Sequence, residues 1–173
     1  MFEAADYSAI ETMRDGRPMQ IRALRPADQA GLLAALDRSS AQSLHRRFFG
    51  AKRHFSAAEI DFFVKVDFAS HVALVAEADE AGRSVIVGGG RYIVVQPAAA
   101  ELAFAVVDDY QGQDIGAALL RHLIVIARRA GIAQLVADVL PDNASMLGVF
   151  EKCGLPISKR HASGVLHVAL ELS

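Results

Sequence analysis

Residues 101–130 read ELAFAVVDDYQGQDIGAALLRHLIVIARRA, and this stretch decides the fold. Glu101–Val107 is almost wholly apolar and has the length of a strand. A polar, glycine-containing turn follows, and then a helical pattern over Ile115–Ala130. Ile115, Leu119, Leu123, Ile126 and Ala130 form one apolar stripe at helical spacing. Arg128 and Arg129 fall in the last turn, where they oppose the helix dipole, and Gly131 ends the helix. Gln134–Leu140 is the next buried strand, so the strand–helix–strand unit calls for a parallel, right-handed crossover.

Upstream, HVALVAE (71–77) and VIVGGGRYIVV (85–95) flank a turn at 78–83 and predict an antiparallel hairpin. Gly88-Gly89-Gly90 inside the second strand predicts a bulge or a close backbone approach. Glu101–Val107 then pairs antiparallel with that strand across 96–100. Further upstream, Met19–Leu24 alternates and reads as the first strand. Pro26 opens a helix running to about Asp37, and Ser39–Phe49 is helical up to Gly50. Ser56-Ala57-Ala58-Glu59 is a capping box for a helix reaching Val66. Downstream, Pro141-Asp142-Asn143 leads into a helix ending near Cys153-Gly154, and Ile157–His161 with Gly164–Leu172 closes as a hairpin. The expected fold is α/β: one domain, 19–173, behind an N-terminal extension, 1–18. Its sheet is mixed, mainly antiparallel and about seven-stranded, with helices on both faces.

The 173 residues are 53% hydrophobic and 22% charged, which suits a packed domain. A net charge of −2 supplies no overall basic field, so nucleic acid is not an expected partner. A single cysteine, Cys153, excludes an internal disulfide framework, and the six histidines do not fall at ligand spacing; no metal is expected. No apolar run approaches the ~18–20 residues that cross a bilayer, and the N-terminus lacks a basic-then-apolar signal pattern. No membrane partner and a cytoplasmic location are the expectations.

The turn Gln111–Ala117 sets several backbone N–H groups at a helix N-terminus, with small residues that permit close approach. Such a site suits an anion, and a pyrophosphate fits. An ordinary strand-to-helix turn would also use these glycines. The Gly-Lys-Ser/Thr ending of a P-loop is absent, and the antiparallel strand before the turn argues against a dinucleotide fold.

Here the chain resembles the GNAT superfamily of N-acetyltransferases. The family pattern Gln/Arg-x-x-Gly-x-Gly/Ala is matched at its first and sixth positions by Gln111-Gly112-Gln113-Asp114-Ile115-Gly116. A second marker is Asn143 opening the helix that ends in Glu151-Lys152-Cys153-Gly154-Leu155, and the likeness extends over 19–172. It implies acetyl-CoA as cosubstrate. The pyrophosphate would lie on Gln111, Gly112, Gln113, Asp114, Ile115, Gly116 and Ala117. The backbone of Ala105, Val106 and Val107 would hold the pantetheine arm and polarise the thioester, with Asn143 and Phe150 also at the cofactor. Asp114 stands where the family has glycine. Asp tolerates positive φ, but its carboxylate must point away from the phosphates. Phe150 stands where many members have a tyrosine general acid.

Glu101 is the candidate general base. Alternation puts it on one face with Ala103, Ala105 and Val107, whose small side chains leave room for a ligand; a solvated strand-end glutamate is the plain alternative. The resemblance is closest to protein-lysine acetyltransferases of the Pat type. It is carried by Arg14–Pro18, Ile21-Arg22 with Arg25–Asp28, Leu44–Phe49, and Val66–Phe68 with His71–Val75, and it implies a protein lysine as acceptor. The basic cluster Arg46, Arg47, Lys52, Arg53 and His54 suits an acidic substrate, CoA phosphates or merely solvent. Phe48, Phe49, Phe62 and Phe63 are read mostly as core. Two alternatives stay open. One is a small-amine acetyltransferase acting on a polyamine, amino acid or aminoglycoside, with an acidic pocket drawn from residues such as Asp61, Asp67 and Glu77. The other is a non-catalytic acyl-CoA sensor. Family members often pair through sheet edges, so a homodimer is also implied.

Overall fold

In the computed structural model, which describes residues 3–48 and 55–173, one mixed sheet runs through the molecule. Its strands are β1 (Ser8–Thr12), β2 (Pro18–Ala23), β3 (His71–Glu80), β4 (Arg83–Gln96), β5 (Ala99–Val106), β6 (Gln134–Val139), β7 (Ile157–Ala162) and β8 (Val165–Glu171). Their order is β1-β2-β3-β4-β5-β6-β8-β7. Among the described residues, only β5 and β6 pair in parallel. The helices are α1 (Gln29–Asp37), α2 (Ala41–Phe48), α3 (Ala57–Val64), α4 (Ile115–Arg129) and α5 (Ala144–Glu151). The sequence-based order of elements is matched, with one strand more than expected.

The extra strand is β1, within the segment read as an extension. It pairs antiparallel with β2, from Ser8↔Arg22 to Thr12↔Pro18. Its apolar residue Ile10 is 72% exposed, so the usual apolar-inward signal of a strand is reversed here. The turn joining β1 to β2 is held by Asp15, whose carboxylate accepts from the backbone N–H and Nε of Arg17.

The core lies between the sheet and α4. Ile115, Leu119, Leu123 and Ile126 of the expected stripe are buried, whereas Ala130 is the C-cap of α4 and is exposed, because the helix ends at Arg129. The glycine run in β4 marks a close approach, and a bulge lies immediately before it. The register with β3 shifts between Ala76↔Gly88 and Glu77↔Ile86, a bulge at Val87. At Gly90 a Cβ would sit 2.8 Å from the ring of Phe104 and 3.2 Å from Leu123, so glycine lets the ring lie against the strand. The capping box at α3 forms as read: Ser56 accepts from the N–H of Glu59, and Glu59 accepts from the N–H of Ser56.

A buried polar network joins β2, β3 and the entry to α1. The Arg22 guanidinium, on β2, grips Asp28 through two bonds of 2.8 Å and donates from Nε to Glu77 of β3 at 2.7 Å.

The parallel junction positions the site. β5 and β6 pair only at Ala99↔Gln134, Ala100↔Leu135 and Glu101↔Val136. Beyond Glu101 the strands part, while β6 continues to pair with β8.

Candidate active site

The parting of β5 from β6 opens a cleft of about 740 Å³, lined by both strands, α4, α5 and α2. Glu101, exposed, stands at the apex, where pairing ends. The N–H of Val107 donates to the carbonyl of Val87 at 2.9 Å, so it points into β4. Strand alternation then turns the backbone of Val106 toward the cleft and that of Ala105 back to β4. The carbonyl of Val106 accepts from Gln111 Nε2 at 3.3 Å, on the cleft side. The expectation that three successive amides serve the ligand is therefore corrected. Val106 offers its backbone, Ala105 lines the cleft with its methyl group, and Val107 is 2% exposed with its amide spent.

At the turn before α4, Gly112 has φ +83 and Asp114 has φ +66, ψ +20, the left-handed conformation expected of it. The Asp114 carboxylate accepts from Arg14 Nη2 at 2.6 Å and from Nε at 3.2 Å. Arg14 comes from the turn between β1 and β2. The same turn takes up Gln113, whose backbone carbonyl accepts from the N–H of Arg14 at 3.2 Å and whose Oε1 accepts from the N–H of Asp15 at 3.0 Å. Gln113 is thus drawn to the hairpin and, unlike Gln111, Gly112, Gly116 and Ala117, does not line the cleft. The Ile115 side chain is 1% exposed and packs in the core over Gly88, leaving its backbone at the turn. Gln111 is held by Ser43 Oγ of α2 at 3.1 Å, and Ser43 donates in turn to Asp108.

The far wall is α5. Asn143 caps it, accepting from the N–H of Met146 at 3.3 Å, and also lines the cleft. Phe150 is 1% exposed and meets Phe104 edge-on at 6.2 Å between centroids. Cys153 is half-buried on the cleft wall.

On the opposite face of β5, Ala103 and Ala105 border a smaller cavity of about 60 Å³. Arg47 lines both cavities. Burial pushes its guanidinium down to about 10, and the Glu101 carboxylate favours its charge. It is not the solvated residue that a surface charge run would contain. The rest of that cluster, Lys52, Arg53, His54 and the side chain of Arg46, lies outside the described residues, as do Phe49 and the side chain of Phe48. Phe63 is buried, whereas Phe62 is 51% exposed and is not core.

Two neighbours were not singled out from the sequence. Arg91, on β4, is 9% exposed; burial first, and then Arg47, lowers it to about 9. His71 lies beside it, held near 4 by burial and by the Arg91 charge. A guanidinium has no acceptor, so Arg91 Nη1 donates to His71 Nε2 at 3.1 Å, and His71 is neutral with its proton on Nδ1. The available signal was a charge inside the apolar run VIVGGGRYIVV. Among the described residues, the acidic pocket expected for a small-amine acceptor does not assemble. Asp61 pairs with Lys65, Asp67 ties its own turn through Ala69, Ser70 and His71, and Glu77 accepts from Arg22.

Residues 36–155 match the model of the acetyltransferase (GNAT) family. An acetyltransferase of Pseudomonas aeruginosa is 36% identical over 138 residues, 79% of this chain and 74% of the relative. Acetyltransferase Pat of Mycolicibacterium smegmatis is 31% identical over 144 residues, 82% of this chain but only 42% of Pat. Among solved structures, the GNAT domain of S. lividans PAT superposes with a TM-score of 0.86 at 29% identity, covering 95% of this chain and 96% of that one. With the parted strands, the turn into α4 and these relatives in agreement, the chain belongs to the acetyltransferase (GNAT) family and resembles its Pat branch.

Proposed function

We propose that the protein transfers an acetyl group from acetyl-CoA to a primary amine, a protein lysine being the acceptor, by direct attack in a ternary complex with Glu101 as general base. The cleft fits the cosubstrate in shape and chemistry. The free edge of β5 beyond Glu101 can accept an extended amide-bearing arm as an added strand. The first turn of α4 offers backbone N–H groups to a pyrophosphate, and Arg14 neutralises the Asp114 carboxylate beside it. Acetyl-CoA supplies the activated acyl group.

The observation that carries the reading is the place of Glu101, at the apex of the cleft with Ala103 and Ala105 leaving space above it. An amine reaching the thioester from the α2 side passes this carboxylate, which can take its proton directly or through a water. The backbone of Val106 faces the position where oxyanion charge develops. Kinship with Pat supports a lysine acceptor.

Glu101→Gln is expected to lower kcat by about 10²–10⁴-fold while calorimetric affinity for acetyl-CoA stays within about threefold. A variant with full turnover would remove Glu101 from this role. Mass spectrometry of a lysate incubated with the protein and labelled acetyl-CoA tests the acceptor; labelling of no lysine overturns that part of the reading.

A further inference from the structure

On the acceptor face, the register sets Arg91 opposite Ala103 and Gly89 opposite Ala105. Antiparallel partners share a face, and residues two apart on a strand share it too, so Arg91 looks the same way as Glu101, Ala103 and Ala105. The cavity of about 60 Å³ lies there, with Arg91, Arg47 and Ser39 on its walls and the side-chain-free Gly88 and Gly89 beneath. Ser39, Arg47, Ala103 and Ala105 also line the main cleft, so the two spaces adjoin.

Arg91 is charged, buried and incompletely satisfied. Its Nη1 donates to the carbonyl of Phe63 and to His71 Nε2, both at 3.1 Å. Among the described residues Nε and Nη2 make no hydrogen bond, and no carboxylate pairs with this guanidinium. The residues outside the description contain no Asp or Glu. The charge that acts on Arg91 is Arg47, of the same sign. A buried cation beside a second cation is costly unless something anionic joins them. The Glu101 carboxylate acts on Arg47 and is not among the charges that shift Arg91.

We propose that Arg91, with Arg47 across the small cavity, forms an anion subsite for a carboxylate carried by the acceptor. The cavity has the volume share of about two waters, which suits a carboxylate. Nε and Nη2 present the planar fork that two carboxylate oxygens accept. The acceptor amine sits at Glu101 and its carboxylate one side-chain reach deeper. The proposal rests on the acetyl-transfer reading and deepens it, since a purely cationic polyamine would be repelled here. The carboxylate comes either from a free amino acid or from an acidic side chain near the target lysine.

Binding is tested first, without turnover. Glutarate, which has no amine to acetylate, is titrated while Tm is followed, with its diamide as the uncharged control. Glutarate is expected to raise Tm and the diamide not to. Arg91→Gln is expected to weaken glutarate about tenfold or more with acetyl-CoA affinity unchanged. Should Arg91→Gln not fold, Arg91→Lys, which keeps the charge but loses the fork, is expected to weaken glutarate less but measurably.

Turnover then separates the two sources. 4-Aminobutyrate is compared with butylamine, and a Lys-Ala-Glu peptide with Lys-Ala-Gln. In one pair the carboxylate-bearing acceptor is expected to win by about tenfold in kcat/KM, through KM, and to lose that advantage in Arg91→Gln. Equal binding of glutarate and its diamide, or glutarate affinity indifferent to both Arg91 substitutions, overturns the subsite. Glutarate bound as expected with neither pair acetylated sustains the subsite and counts against the acetyl-transfer reading instead.

Discussion

Asp114 takes the left-handed backbone that the turn into α4 needs, and it gives its carboxylate to Arg14 from a hairpin 100 residues earlier. The pair is solvent-exposed, so its direct worth is small. Its consequence is electrostatic: it cancels a negative charge at the rim of the site proposed for a pyrophosphate. Arg14→Ala is therefore expected to weaken acetyl-CoA by about two- to fivefold at low salt, with the effect fading near 1 M salt. Asp114→Gly should change affinity by less than about threefold, and the double variant should recover the wild-type value. Calorimetry across the four proteins measures this, and a double variant as weak as Arg14→Ala would deny the neutralising role. The glutamate and the turn were legible from sequence because each interrupts an apolar pattern locally. Arg14 was not marked as part of the site, because nothing local says where a hairpin turn will land.

At the scale of elements, β4 and β5 form the ridge on which both faces of the site are built. One face carries Arg91, Glu101 and the two alanines. The other carries Phe104, whose ring lies against Gly90 and meets Phe150 beside the cleft. A methyl group at Gly90 has no room: the ring it meets packs edge-on against Phe150, and Leu123 lies 3.2 Å from the added carbon. Gly90→Ala is expected to cost about 1–3 kcal/mol in urea unfolding and to weaken acetyl-CoA as Phe104 is displaced; unchanged stability would mean that the ring moves freely. The glycine run announced a close approach, but not which ring approaches. The backbone of Val107 shows the reverse limit. As one of three apolar residues it reads like its neighbours, and only its bond to Val87 removes it from the cleft. Strand β1 was missed because its one large apolar side chain faces outward.

For the whole molecule, the Arg22 network ties β2, β3 and the entry to α1 behind the sheet. Arg22 is 4% exposed, and its loss strands two carboxylates. Arg22→Ala is expected to destabilise the protein by about 3–5 kcal/mol, a fall in Tm on the order of 10 °C. Burial raises the pKa of Asp28, but hydrogen bonds from Arg22 and from the N–H of Arg25 outweigh it, and the net pKa is lowered from 3.8. A carboxylate lowered on folding stabilises above its unfolded pKa and loses that contribution as the pH falls through the folded value. The stability gap between wild type and Arg22→Ala should thus be full near neutral pH and shrink below about pH 4. A gap independent of pH would show that packing, not charge, accounts for it.

Periodicity, capping residues and glycine placement in the sequence determined the order of elements, most of the α4 stripe, the α3 capping box and the turn into α4, and the likeness of that turn, Glu101 and Asn143 to a known family pointed to an acyl-CoA enzyme. These are local signals, carried within a few residues by backbone geometry and side-chain alternation. Tertiary structure alone decided that β5 and β6 part after Glu101, that Arg14 answers Asp114, and that Arg47 and Arg91 meet behind the alanines of β5. Each of these joins residues distant in the chain, and their meeting depends on strand register and on how the helices lie across the sheet. No local preference encodes such a contact, because a one-residue shift in register would turn the same side chains to the other face.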